Sequence, residues 1–381
     1  MKKIVVAIDS FKGSLSTFES GNAIKDAAEA VFGEVEVVIS PIADGGEGTV
    51  EAIVESTGGE LVKTTVTNPL GKKIEAAYGY VPETKEAIIE MSAAAGITLV
   101  NENERNPMNT TTFGVGEMIL DAIERGCRKF VIGIGGSATN DGGIGMLQAL
   151  GFEFLDKDGK QVSQGAKGLF ELCEIRIEKA NEKLRECTFS VACDVKNPLC
   201  GENGCSAVYG PQKGATPEMI KEMDLALSKY AELTRSVIPN ASPEKEGSGA
   251  AGGLGFALMS YLGAELESGI ELVMRETGLE EKIKDAELVI TGEGRLDGQS
   301  YMGKAPIGVA RLAKKHGKTV IAFSGCVTDD AITCNDHGID AFFPILRRPC
   351  SLEDAMDIKN AYKNLKDTAV QVFRLINTKS W

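Results

Sequence analysis

The sequence predicts an α/β protein of two domains: a discontinuous, doubly wound parallel sheet built from both chain ends, and an inserted mixed α/β domain. Three observations carry this. Residues 1–60 alternate short apolar runs with amphipathic stretches, the order of βαβ units. After residue 60 the pattern changes to polar–apolar alternation broken by turn signals, as in antiparallel hairpins. From about Asp285 the opening order returns. The discontinuous domain is therefore expected at 1–66 and 284–381, the inserted one at 67–283, with the active site in the cleft between them at strand C-terminal ends.

Each element has its own signal. Ile4 to Ile8 is a continuous apolar run, expected of a strand covered on both faces. Ser16 and Glu19 have capping-box spacing ahead of a helix whose apolar positions include Ile24, Ala27, Ala28 and Val31. "VEVVIS" reads as a second strand and "GTVEAIVEST" as a second helix. Turns are signalled at Asn68-Pro69-Leu70-Gly71 and at Pro82-Glu83-Thr84. A helix near 114–125, a strand at 130–134 and a helix after Asp141 follow. The strand "FSVACD" then leads into an irregular loop over 194–215. A helix is expected from about Pro217 to Ser236, and "IPNASPEKEGSGAAGG" reads as a flexible connection with a glycine-rich end. Beyond it come the strand "AELVITGEG", the helix "PIGVARLAKKHG", the strands "KTVIAFSG" and "DAFFPIL", and one long final helix, "SLEDAMDIKNAYKNLKDTAVQVFRLI".

Composition narrows the function. A formal net charge of -14 over 381 residues argues against a nucleic-acid partner, and a small anionic substrate must be gathered by local cations and backbone N–H groups. Neither a membrane span nor a signal peptide is legible, and nine cysteines without a C-x-x-C pair suit a reducing cytoplasm. Cys200 and Cys205 flank "GENG" without a nearby histidine, which makes a poor zinc site. Monomer and homodimer are equally compatible with these numbers.

Four strand ends are chemically loaded. "AIDSFKGS" ends a strand at Asp9, with Lys12 and Gly13 beyond it. "PIADGGEGT" sets Asp44 and Glu47 among Gly45, Gly46 and Gly48 before a helix, where capping is the competing explanation. "IGIGGSATNDGGIG" carries Gly135, Gly136, Ser137, Thr139, Asn140 and Asp141. It also fits G-x-G-x-x-A, with Asp156 as the ribose acid of a nicotinamide site, which would make an oxidoreductase. Asn140 and Asp141 at the helix start count against that, because a carboxylate repels pyrophosphate. "ITGEGRLDGQSYMGKAPIG" offers Gly292, Glu293, Gly294, Arg295, Asp297 and Lys304. Gly298 to Lys304 matches G-x-x-x-x-G-K, but Ala305 stands where a magnesium-binding hydroxyl should. In the middle, "CDVKNPLCGENGCSAVYGPQKGA" places Asp194 at a strand end, suited to a general base, with Lys196, Asn197 and Lys213 in the loop. Backbone donors, cations, carboxylates for a metal and a base are what phosphoryl transfer requires.

Taken together and in this order, "AIDSFKGSLS", "PIADGGEGT", "IGIGGSATNDGGIGMLQALG", "CDVKNPLCGENGCSAVYGPQKGA" and "ITGEGRLDGQSYMGKAPIGVA" resemble the bacterial type I glycerate kinases from Lys3 to the last helix. The resemblance implies ATP-dependent phosphorylation of D-glycerate to the 2-phosphate, and a Rossmann-like discontinuous domain with a second one inserted. A 3-kinase giving 3-phosphoglycerate and a non-catalytic hydroxy-acid sensor are the alternatives. Our own reading assigns Lys12 and Arg295 to the substrate carboxylate, Asp194 to the base with Asp44 in reserve, and Asp297 and Asp44 to Mg²⁺. It sets Gly135-Gly136-Ser137 and Gly292-Glu293-Gly294 against phosphates, Lys304 against transferring charge, and Gly45, Gly46, Thr139, Asn140, Asp141 and Lys213 about the ligand.

Overall fold

A computed structural model describes residues 1–298, 300–302 and 304–378. Its strands are β1 (Lys3–Ile8), β2 (Glu36–Ile39), β3 (Glu60–Thr67), β4 (Lys73–Val81), β5 (Glu86–Glu90), β6 (Lys129–Gly133), β7 (Glu153–Leu155), β8 (Glu174–Arg176), β9 (Thr188–Ala192), β10 (Glu265–Glu267), β11 (Leu288–Leu296), β12 (Thr319–Val327) and β13 (Ala341–Pro344). The chain divides into two compact units, the first holding residues 1–44, 51–57 and those from Ile270 onward, the second 45–50 and 58–269.

The first unit is a five-stranded, all-parallel sheet in the order β13-β12-β11-β1-β2. Counted within the unit this is 2-1-3-4-5, so the winding reverses between β1 and β11. Coverage on both faces explains the apolar runs within β1, β11 and β12. Val5, Ala7, Val289, Val320 and Ala322 face one core, which the helix Ala305–Lys315 covers. Ile4, Val6, Ile8, Ile290, Ile321 and Phe323 face another, under the helices Thr17–Phe32 and Ile358–Asn377. The expected capping box is present: Glu19 N–H donates to Ser16 Oγ at 3.2 Å and Ser16 N–H to Glu19 Oε2 at 2.8 Å.

The second unit has a six-stranded mixed sheet, β10-β9-β6-β5-β4-β3, parallel from β10 to β5 and antiparallel onward, and a separate β7–β8 pair. Asn68 makes the β3–β4 turn, its side-chain oxygen accepting from the N–H groups of Leu70 and Lys72.

Four features depart from expectation. The division falls near 58 and 269, not 66 and 284, because β3 pairs with β4 and because Ile270, Met274, Leu279 and Ile283 pack into the first unit's core. The final helix is two, Leu352–Met356 and Ile358–Asn377: Asp357 is extended (φ -60°, ψ 126°), and its side chain caps the second by accepting from Asn360 N–H. The end of the supposed flexible connection is buried core. There Ala251, Gly252 and Gly253 form a left-handed turn (φ 52°, 69° and 92°) at the start of the helix Ala250–Leu262. Asp156 belongs to a tight turn beside β7, its carboxylate accepting from the N–H groups of Asp158 and Lys160, which removes the ribose acid from the dinucleotide reading.

Candidate active site

β1 and β11 are the strands at which the first sheet reverses, and both end in charge. Asp9 N–H donates to Gly292 O at 3.0 Å, tying the strand ends together, and Ser10 N–H donates to Asp9 Oδ1 at 2.7 Å. With 8% of its surface exposed, Asp9 has its pKa pushed up to about 6, first by burial and then by the charge of Asp44. Glu293, on β11, is pushed up to about 7 by burial, although it accepts from Ser300 Oγ at 2.7 Å and has Lys304 Nζ 3.8 Å away. Lys304 Nζ also lies 3.3 Å from Asp297, whose other oxygen is 3.5 Å from Arg295 Nε. Lys304 is positioned by the helix it opens, Ala305–Lys315, whose Pro306 suits the first turn.

These groups line a cavity of about 450 Å³, within the size range of small-molecule sites. Its lining mixes charged residues, Asp9, Lys12, Asp44, Glu293, Arg295 and Lys304, with apolar ones, Phe11, Leu346, Leu352 and Met356 among them. Of the residues singled out in the sequence, the fold thus collects Lys12, Asp44, Glu293, Gly294, Arg295 and Lys304 around one cavity, with Asp297 bonded to Lys304 behind them. Gly292 has a different part from the one expected. A Cβ there would sit 2.0 Å from the carbonyl oxygen of Phe323, so its glycine serves the close approach of β12. Of the Gly298–Lys304 pattern, Gln299 and Gly303 lie outside the described residues.

The second unit holds the rest. β6 empties into the Gly135–Asp141 stretch, and Lys213 secures it: the ammonium donates to Ser137 Oγ and to Thr139 O, both at 2.7 Å. Lys213 is 2% exposed, and burial pulls its pKa down to about 8. Asp141 is turned into the fold instead of toward a ligand. It is fully buried and accepts from Thr112 N–H, Thr112 Oγ1 and Gly143 N–H, and burial raises its pKa against those bonds. Asn140 Nδ2 donates to Ser206 Oγ at 2.9 Å, and Thr139 is likewise fully buried. Gly45 (φ 84°) has room for no side chain: a Cβ would lie 2.5 Å from that of Ala192. Gly46 lies against Gly135, whose Cβ position is 3.5 Å from Gly46 Cα. Asp194 follows β9, is exposed, and accepts from Gly269 N–H at 3.1 Å.

Two groups carry more weight than the sequence suggested. Asp9 was legible as a strand-end acid but had no assigned role, and adjacency to the reversal of the sheet is the signal that gives it one. Ser300 sits between Glu293 and Asp297, and no motif marks it. Among the described residues no group of three or more His, Cys, Asp or Glu side chains forms a ready metal site, and no helix is long and apolar enough to cross a membrane.

A doubly wound sheet with carboxyls and cations gathered where its winding reverses defines an α/β enzyme built to handle anionic small molecules. Comparison with known proteins gives the particular group. The glycerate kinase family pattern matches residues 4–377. The chain is 47% identical over 374 residues to the glycerate kinase of Haemophilus influenzae, covering 98% of each. It is 49% identical over 363 residues to the glycerate 2-kinase of Escherichia coli, covering 95% of each. A crystal structure from Salmonella typhimurium LT2, provisionally named glycerate kinase 2, superposes with a TM-score of 0.92 at 46% identity, over 99% of this chain and 98% of that one. The chain belongs to the glycerate kinase family, phosphotransferases with an alcohol acceptor.

Proposed function

We propose that the protein transfers the terminal phosphoryl group of ATP to the 2-hydroxyl of D-glycerate, with Mg²⁺ in attendance. The observation that carries this is the 450 Å³ cavity, whose lining combines apolar and charged side chains where the sheet reverses. Leu346, Leu352 and Met356 suit a nucleotide base, and Arg295 and Lys304 suit its phosphates. The family match and the relative named glycerate 2-kinase support the acceptor and the product.

The carboxyl groups fit a divalent cation. The charge of Asp44 raises the cost of ionising Asp9 within the first unit, a surplus of negative charge that a cation relieves. Mg²⁺ uses one or two carboxylates and completes its shell with water and phosphate, so a three-carboxylate cluster is unnecessary. Asp44 with Asp9 would hold it. Asp297 suits that role less, since Lys304 and Arg295 already take its charge. When bound, the ion would neutralise phosphate charge. Lys304 and Arg295 then steady the oxygens of the moving phosphoryl group, and Lys12 the substrate carboxylate. Asp194 is assigned the proton of the attacking hydroxyl. Glu293 is the second reading, favoured by a pKa near neutrality inside the cavity.

The decisive test is ³¹P NMR of the product formed with ATP, Mg²⁺ and D-glycerate. A 2-phosphoglycerate resonance is expected; a 3-phosphate signal overturns the regiochemistry, and no ADP overturns the activity. Lys304→Ala and Arg295→Ala should each lower kcat roughly 10²–10³-fold. Asp194→Asn and Glu293→Gln separate the two bases, the true one losing about 10²–10⁴-fold.

A further inference from the structure

The segment from Ile345 to Asn364 lines two cavities. Ile345, Leu346, Leu352, Ala355 and Met356 face the 450 Å³ cavity just described. Arg347, Arg348, Asp354, Asn360 and Lys363, from the same stretch, line a second cavity of about 530 Å³ in the same unit. Neighbours alternate between the two, Leu346 against Arg347 and Ala361 against Asn360, so one stretch of backbone walls both.

The second cavity is cationic in an otherwise acidic chain. Arg347, Arg348 and Lys363 line it with Asp354, and with Asp367 paired to two of them there are three cations to two acids, whereas the whole protein carries -14. Arg347 and Lys363 share Asp367, the lysine at 2.7 Å, which holds both in place. Arg348 has no hydrogen bond or ion pair among the described residues. Its planar fork of N–H donors is therefore uncommitted and matches a phosphate oxygen pair. The amides of Asn360 and Asn364 add neutral polar contacts.

We propose that this cavity is a second anion site, for a small phosphate-bearing molecule, and that its occupancy fixes the 345–361 wall of the first cavity. The binding claim stands alone; the effect on the first cavity rests on its reading as the nucleotide site.

Inorganic pyrophosphate serves as the probe, titrated calorimetrically into the full-length protein without nucleotide. Saturable binding is expected, weakened at least tenfold by Arg348→Ala and by Lys363→Ala but not by Lys304→Ala. Arg348 is exposed and without a partner, so its truncation leaves the fold intact. An affinity unchanged in both Arg348→Ala and Lys363→Ala, or lost in Lys304→Ala, overturns the site. In steady-state assays pyrophosphate should change the KM for ATP in the wild type by at least twice the factor seen in Arg348→Ala; equal changes overturn the coupling. Absence of kinase activity in the wild type, with calorimetric binding intact, would defeat the catalytic reading and the coupling and leave the anion site standing.

Discussion

Two buried ionisable side chains show how differently a residue can relate to its site. Asp9 is held protonated more readily than a free carboxyl, near 6 against an ordinary 3.8. The native state therefore binds more protons than the unfolded chain between those values, and stability falls as pH rises through that window. Asp9→Asn removes the cost while keeping the acceptor for Ser10 N–H. It should stabilise the protein by about 3 kcal/mol at pH 7 and by little at pH 4, measured by urea unfolding in EDTA, while abolishing most turnover. No gain at pH 7 would mean that Asp9 is not strained. Lys213 works in the opposite direction. Its native pKa of about 8 lies below the unfolded 10.5, so the unfolded chain binds more protons above pH 8 and stability rises there. Relative to Lys213→Met, the wild type should gain about 2 kcal/mol between pH 8 and 9.5 in the same assay. A parallel pH dependence of the two proteins would remove buried charge as the cause.

Among the elements, those with a local signal were legible. The Ile4–Ile8 run, the Ser16–Glu19 box and the Asn68 turn each state their structure in a few adjacent residues, and each is present. What stayed illegible depends on remote partners. Nothing in "EGSGAAGG" tells that it is packed against Thr139 and Asn140, yet the Cβ position of Gly252 lies 2.1 Å from Thr139 O. Likewise, Asp141 reads as a ligand-facing acid until Thr112, twenty-nine positions earlier, supplies two donors. The left-handed turn makes a prediction of sign. An alanine-to-glycine change inside a regular helix costs about 1 kcal/mol, but Ala251 sits at φ 52°, where an L side chain is strained. Ala251→Gly should therefore leave the protein unchanged or stabilise it by up to about 1 kcal/mol. Destabilisation by thermal unfolding would show that the strain is absent.

At the scale of the whole molecule, charge sets a condition on substrate capture. A net charge of -14 repels anionic ligands at a distance, and the cations Lys12, Arg295 and Lys304 oppose this within the cavity. Added salt screens the distant repulsion more than the short-range attraction. The kcat/KM for D-glycerate should therefore rise, roughly twofold between 10 and 150 mM KCl, before site screening dominates. A monotonic fall from the lowest salt would place the controlling charges in the site instead. The class of fold was legible at this scale from the return of βαβ order after Asp285. The order of strands was not, because apolar runs covered on both faces look alike wherever they lie in a sheet.

The pairing of β1 with β11 has a consequence in time as well as in space. Ile4 lies beside Leu288 in the sheet, so β1 waits until synthesis has reached Leu288 before its partner is made. At typical rates of synthesis that wait lasts roughly 15–60 s. Residues 58–269, the bulk of the second unit, are complete by then and free to fold ahead of it. Asp9 and Glu293 meet only after Glu293 has been synthesised. A nascent or truncated chain lacking Glu293, Arg295 and Lys304 thus cannot assemble the charged cavity.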